Sequence, residues 1–254
     1  MKVFRRALAD GTTKEGWLAV EGPFLVEEAL KAAPRVKTHS VLVASGAAEK
    51  FSALLNRVPA ETETTQVSDR LFEHVAQTPS PQGIAALAEL PASTLEQVVT
   101  APNPMLVVAC RLQDPGNLGT MIRTALAFSA SAFLTLQETV SPFNPKAVRS
   151  SAGAIFRLPL VCGLDPKEAL PFLSERVRIV AAERHSPASL AQADLRGPIA
   201  ILVGREATGL PEEIARYAGQ LLSIPIRKEV DSINAATAAS IFLYEAARQR
   251  GFKY

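Results

Sequence analysis

The feature that most constrains this chain is a regular alternation of short apolar runs with helical patterns over its C-terminal part. Runs suited to buried strands occupy 105–109, 132–136, 157–161, 177–181, 199–203 and 221–225. Patterns suited to helices fall between and after them, over 118–128, 145–152, 167–175, 211–218 and 232–250. The runs are almost continuously apolar rather than alternating. That is what a strand shows when helices cover both faces of its sheet, as in parallel α/β folds. In such sheets ligands bind beyond the carboxyl ends of the strands, so the loops that follow strands are where chemistry is to be sought.

The N-terminal part has its own α/β pattern, with strands expected at 17–20, 40–44 and 83–88 and helices from Pro23, over 47–56 and over 69–76. Breaks at Pro91-Ala-Ser-Thr and Ala101-Pro-Asn-Pro104 mark a linker. The expected organisation is a small α/β domain over 1–95 and a parallel-sheet domain over 104–254. Apolar residues make up 48% and charged residues 20% of the 254, a composition that excludes disordered, collagenous and disulfide-scaffold chains. No apolar run is long enough to suggest a membrane span, and the first residues lack the pattern of a secretory signal. Cys110 and Cys162 lie far apart in apolar runs and are expected to be buried, reduced thiols, which fits a cytoplasmic protein. With three scattered histidines (His39, His74, His185), the chain offers no metal site and none is expected.

Net charge is only +2, but residues 101–254 hold 17 Lys and Arg against 13 Asp and Glu. The basic residues there are mostly Arg, whose planar fork suits phosphate. Taken alone, this is a weak pointer to nucleic acid.

Three loops after strands stand out. The first, Arg111-Leu-Gln-Asp114-Pro-Gly-Asn117-Leu-Gly119-Thr-Met-Ile-Arg123, combines turn residues with Asn117 as a candidate helix cap, and Arg123 six residues on, about 120° short of two full turns, its long side chain able to lean back toward the loop. The second, Val203-Gly204-Arg205-Glu206-Ala-Thr-Gly209-Leu210-Pro211, has the glycine spacing of a phosphate loop. It lacks the Lys-Ser/Thr that such a loop needs, so nucleoside triphosphate is excluded. Gly204 permits close approach of backbone and ligand, and Glu206 could accept from a ribose hydroxyl or hold an Arg. The third runs from Ile224-Pro225 through Asp231-Ser232-Ile233-Asn234 into an Ala-rich helix, with Asp231 or Ser232 as candidate cap. Ala235, Ala236, Ala238 and Ala239 leave room for the sheet, a flat ligand or a partner subunit. Serine-hydrolase, zinc-protease and dinucleotide signatures are absent.

In this order and at these separations, the loops resemble the three motifs of the SpoU (TrmH-like) family of RNA 2'-O-ribose methyltransferases, in the SPOUT superfamily. Asp114-Pro-Gly-Asn117-Leu-Gly119…Arg123 resembles the first motif and Val203-Gly204-x-Glu206-x-x-Gly209-Leu210 the second. Ile224-Pro225…Ser232-Ile233-Asn234-x-x-x-Ala238 resembles the third. Val20-Glu21-Gly22 and Ser80-Pro81-Gln82-Gly83 are similar to the family's substrate-binding domain. Ile226 and Ile233 replace the usual Met and Leu. The resemblance implies a SPOUT domain with a trefoil knot, homodimerisation through that domain, and a bound S-adenosylmethionine. Val203, Gly204, Ile224, Ile233 and Asn234 would hold that cofactor. It further implies that Arg123, Asn117, Ser232, Asn234 and Glu206 serve catalysis.

The implied substrate is structured RNA, with ribosomal RNA favoured over transfer RNA because the additional domain suits a folded element. An RNA-binding protein of this fold without catalysis and a doubly wound enzyme for another nucleotide are the competing readings. Arg123 cannot be a simple base, because its guanidinium stays protonated at neutral pH. It is expected instead to grip an RNA phosphate and stabilise the developing alkoxide.

Overall fold

The computed structural model describes residues 1–205 and 209–252. Its elements run α1 (Lys2–Asp10), β1 (Leu18–Glu21), α2 (Pro23–Lys31), β2 (Lys37–Ala44), α3 (Ser52–Leu55), β3 (Glu63–Val67), α4 (Asp69–Val75) and β4 (Ile84–Glu89). They continue α5 (Leu95–Val99), β5 (Met105–Ala109), α6 (Pro115–Ala127), β6 (Ala132–Leu136), α7 (Pro145–Ser150), β7 (Leu160–Leu164), α8 (Pro166–Ser174) and β8 (Arg178–Ala182). The last are β9 (Ile199–Val203), α9 (Glu212–Ala215), β10 (Gln220–Leu222) and α10 (Ala235–Gln249). The chain divides into two compact units, Met1–Pro91 with Phe143–Arg157, and Ala92–Pro142 with Leu158–Tyr254. The sequence had put 143–157 with the second of these. In the structure that segment is tied to the first, where buried Glu28 of α2 accepts from Arg157.

The first unit is a four-stranded sheet in the order β1-β4-β2-β3, antiparallel except for the β2–β3 pair. Both faces are covered. Leu42 and Ala44 of β2 and Ala85 and Leu87 of β4 join Phe4, Ala7 and Leu8 of α1 and Phe72 and Val75 of α4 in one cluster. Val41, Val43, Ile84 and Ala86, the alternate residues of the same strands, are buried too, and α2 packs on the sheet. α1 and β3 were not expected. The helical spacing of Phe4, Ala7 and Leu8 is short and flanked by charge, and Glu63–Val67 is an edge strand with no apolar face.

The second unit carries a fully parallel six-stranded sheet, order β10-β8-β9-β5-β6-β7. One face packs on α5, α8 and α9 through Leu95, Leu170, Leu173 and Ile214. α6 and α10 pack on each other and against strands β6, β8 and β9, burying Leu118, Met121, Ile122, Phe242 and Leu243. Helices on a parallel sheet are what the apolar runs predicted. The strand expected at 157–161 falls at Leu160–Leu164, and the helix expected at 211–218 shrinks to Glu212–Ala215. Cys110 is buried, and burial pushes its thiol up to about 11. Cys162 is exposed, because β7 is an edge strand. Among the described residues no helix is long and apolar enough to cross a membrane, and no group of three or more His, Cys, Asp or Glu could hold a metal ion.

Candidate functional site

The order of chain entry into the parallel sheet reverses between β5 and β9: strands β5, β6 and β7 step outward on one side, and β8, β9 and β10 fill the other. A crevice at the carboxyl ends of the strands is expected beside such a reversal. The structure has one there, lined by the ends of β8 (Ala182, Glu183, Arg184), β9 (Val203, Gly204, Arg205) and β10 (Leu222, Ile224, Ile226) and by Gly209. The wall opposite is the start of α10 and the segment before it: Ser232, Ile233, Ala235, Ala238 and Phe242. The enclosed part of the space is about 90 Å³, and the crevice opens to solvent. Leu222, Ile224, Ile233 and Phe242 give it apolar walls suited to an adenine face, so the residues present fit S-adenosylmethionine.

Backbone geometry makes this cavity. Arg205 N–H donates to Gly209 O and Gly209 N–H to Arg205 O, at 3.1 and 3.0 Å, so the loop after β9 closes on itself. A Cβ on Gly204 would stand 2.4 Å from the Gly209 carbonyl oxygen. Gly204 is therefore required by its own returning chain. The sequence had suggested a different reason, close approach of a ligand. Arg205 Nε also donates to the Arg111 carbonyl at 2.8 Å. The Arg111 guanidinium in turn reaches Glu138 and Glu213, at 3.1 and 3.2 Å, tying the loops after β5 and β6 to the start of α9.

The third loop meets the first through Asn234. Its Oδ1 accepts from Ala236 N–H and Thr237 N–H at 2.9 and 3.2 Å, so Asn234 caps α10. Its Nδ2 donates to Asn117 Oδ1 at 3.0 Å, joining α10 to α6. Both caps differ from expectation. α10 begins after Asn234, not at Asp231 or Ser232. α6 is capped by Asp114, whose carboxylate accepts from Asn117 N–H at 2.8 Å, because Pro115 sets the helical φ at the first position. Asn117 thus sits in the first turn, with its side chain hydrogen-bonded to Asn234 at the start of α10.

Of the residues named from the sequence, Val203, Gly204, Ile224, Ile233 and Ser232 line the cavity. Asn117 and Asn234 are joined to each other, but Asn234 is exposed and outside the lining: its amide is committed to the cap and to Asn117. Arg123 is exposed on α6, outside the lining, and its guanidinium makes no hydrogen bond or ion pair among the described residues. Glu206 lies outside the described residues. The sequence reading missed Glu183, Arg184, Arg205, Leu222 and Phe242. The rule that singled out the other loops, that residues just past a strand face the crevice, would have found Glu183 and Arg184. Phe242 follows Ala235 and Ala238 along one helical face.

The model of the SpoU rRNA methylase family matches residues 104–244, and that of an MRM3-like substrate binding domain matches residues 12–86. A 23S rRNA (guanosine(2553)-2'-O)-methyltransferase, RlmP of Bacillus subtilis, is 33% identical over 91% of this chain and 89% of its own. The SpoU methyltransferase AviRb of Streptomyces viridochromogenes, solved with AdoMet, superposes with a TM-score of 0.86 at 26% identity, over 99% of this chain and 98% of that one. An AdoMet-bound rRNA methyltransferase of Sinorhizobium meliloti gives 0.81 at 29% identity, over 96% and 93%.

Proposed function

The chain belongs to the SpoU rRNA methylase family, and from that premise we propose how its residues divide the work of methylating a folded segment of ribosomal RNA. It is an S-adenosylmethionine-dependent RNA ribose 2'-O-methyltransferase. The observation that carries the assignment of roles is the convergence of three distant loops: two line one cavity, and the third is hydrogen-bonded to its rim through Asn117 and Asn234.

In this reading Val203, Gly204, Ile224 and Ile233 hold the cofactor, largely through backbone groups and apolar contact. The cofactor supplies an electrophilic methyl on a sulfonium. The protein's task is to bring a ribose 2'-hydroxyl in line with that methyl, exclude competing water and provide a route for the proton. Asn117, its amide oriented by Asn234, positions the hydroxyl. Ser232 at the cavity wall shapes the cofactor's surroundings. Arg123 grips the adjoining RNA phosphate with its planar fork and stabilises negative charge as it grows on the oxygen, while the phosphate or a water carries the proton. Its guanidinium, exposed and without an ion pair among the described residues, suits that work. Glu206 is assigned to fixing an arginine within or across a dimer.

The unit 1–95 is assigned to RNA recognition and 104–254 to catalysis and dimerisation, with the trefoil knot of the family in the latter. Ile241 and Tyr244, exposed on one face of α10 with Phe128 and Phe252 against Tyr244, support a second copy of this chain as partner. Two unpaired cysteines support a cytoplasmic setting. The reaction as assigned uses no metal and no membrane.

The test is transfer of labelled methyl from S-adenosylmethionine to ribosomal and transfer RNA fractions, followed by mapping of the modified ribose. A single 2'-O-methyl position in large-subunit RNA is the expected result. Labelling confined to transfer RNA would move the substrate class, and labelled base instead of ribose would overturn the assignment of roles.

A further inference from the structure

We propose that Glu183 is a cofactor-binding residue that accepts hydrogen bonds from the ribose hydroxyls of S-adenosylmethionine; the proposal rests on the cavity being the cofactor site. Neither the comparisons nor the three sequence motifs single this residue out.

Three observations support it. First, position. Strands β8 and β9 pair in parallel with Ala181 opposite Leu202, and continuing that register brings Glu183 beside Gly204. Glu183 N–H donates to Leu222 O at 3.0 Å, so the residue is pinned between the ends of β9 and β10, where the cavity begins. Second, chemistry. Glu183 is half-buried and lines the cavity, yet its carboxylate makes no hydrogen bond or ion pair among the described residues. Its carboxylate lies toward the glycine loop: a Cβ built on Gly209 would meet Glu183 Oε2 at 3.5 Å. A half-buried carboxylate at the edge of an apolar cavity is placed to accept from a ligand donor. Third, precedent in physics rather than in family. Where a glycine-rich turn follows one strand of a parallel sheet, an acid beyond a neighbouring strand end is placed to take the hydroxyls of the nucleoside whose other end lies at that turn. A carboxylate accepts two donors side by side, and a vicinal diol presents two hydroxyls at that spacing.

The experiment is calorimetric binding to the full-length protein of S-adenosylhomocysteine, 5'-deoxy-5'-methylthioadenosine and the 2'-deoxy form of the latter. Each is measured against wild type, Glu183→Gln and Glu183→Asp. Glu183→Gln is expected to weaken S-adenosylhomocysteine and methylthioadenosine by the same factor, tenfold or more, with the thermal midpoint unchanged. Removing the 2'-hydroxyl should cost wild type a similar factor and Glu183→Gln less than twofold. Glu183→Asp should recover part of the loss. The proposal is overturned if Glu183→Gln binds S-adenosylhomocysteine as wild type does, or if the loss vanishes for methylthioadenosine, which would make the ammonium the partner. It is also overturned if wild type is indifferent to the 2'-hydroxyl, a comparison that needs no folded variant. Failure of wild type to bind S-adenosylhomocysteine at all would be distinguishable, since that strikes the cofactor site itself and the proposal with it.

Discussion

Asn234 serves two elements with one amide, and its substitutions should separate stability from catalysis. Its Oδ1 takes two N–H groups at the start of α10, and its Nδ2 binds Asn117. Replacing it with Ala removes the cap, worth about 1 kcal/mol. It also removes one neutral hydrogen bond at an exposed position, worth about 1 kcal/mol or less. The sum is about 2 kcal/mol at most, which for a unit of this size lowers the thermal midpoint by roughly 4–8 °C. Asn234→Asp behaves differently. Aspartate caps as well as asparagine and meets the positive end of α10 favourably, so the midpoint should stay within about 2 °C. An ionised carboxylate cannot donate, however. It faces Asn117 Oδ1 across 3.0 Å and forces the Asn117 amide to flip, turning its oxygen away from where it was held. Scanning calorimetry and single-turnover methyl transfer with saturating RNA then give two readouts. Asn234→Ala should lower both midpoint and rate; Asn234→Asp should lower the rate at least tenfold at unchanged midpoint. A normal rate in Asn234→Asp would refute the idea that Asn234 works by orienting Asn117. An unchanged midpoint in Asn234→Ala would refute the capping role.

Three further outcomes are expected. Gly204→Ala sets a methyl 2.4 Å from the Gly209 carbonyl oxygen, a clash between backbone-held atoms. It should destabilise by about 1–3 kcal/mol and weaken S-adenosylhomocysteine more than tenfold; wild-type binding in calorimetry would show that the loop closes otherwise. Arg123→Lys keeps the charge and loses the planar fork, so the single-turnover rate with RNA and cofactor saturating should fall by about tenfold or more, and a near-normal rate would remove the bidentate role. Burial alone would raise the Glu28 pKa, but hydrogen bonds from Arg157 and Lys31 outweigh it and hold the carboxyl below the ordinary glutamate value of 4.5. A carboxyl depressed in the folded state contributes stability that is complete above the unfolded value and is lost as pH falls through the folded one. Urea unfolding of the first unit should therefore weaken below about pH 4.5, and Glu28→Gln should flatten that part of the profile; an identical profile in the variant would exclude this pair as a cause.

The parallel sheet and the three loops were legible because each rests on a strong local signal. A strand buried on both faces has no polar residues to interrupt it, and Gly204, Pro115 and Asn117 stand where turns and helix starts demand their types. The errors have local causes too. The two caps were misplaced because apolar periodicity begins at Leu118 and Ala235, whereas the helix itself is set by Pro115 in one case and by the Asn234 amide in the other. β7 was placed too early because Gly163, at φ 69, sits inside the strand where the pairing register slips; Cys162 was read as interior because its run is apolar, but β7 is an edge strand. The strand-end rule offers Glu183 as a crevice residue, but only the sheet order shows what it faces: β9 pairs with β8, which brings its carboxylate to the glycine loop.

The Ala-rich start of α10 shows why binding and folding are coupled here. The sequence left the sheet, a flat ligand or a partner subunit open as neighbours of its small residues; the structure sets α6 against one face and the cavity beside another. Ala236 and Ala239 are buried, and on their side of the helix Ser240 Oγ meets Thr124 Oγ1 of α6 at 3.3 Å. Ala235 and Ala238 line the cavity. A larger residue on the first face would push α10 from α6 and stretch the Asn234–Asn117 bond; on the second it would fill the space meant for the cofactor. Because one cap fixes the rotation of the helix, both faces move together. A ligand that packs against Ala235 and Ala238 must therefore favour the same orientation of Asn234 that holds Asn117, so cofactor binding and placement of the hydroxyl-orienting amide are energetically linked. The linkage is measurable: Asn234→Ala, which touches no cavity wall, should weaken S-adenosylhomocysteine as well as slow methyl transfer. Unchanged affinity in that variant would mean that the two faces of α10 are independent.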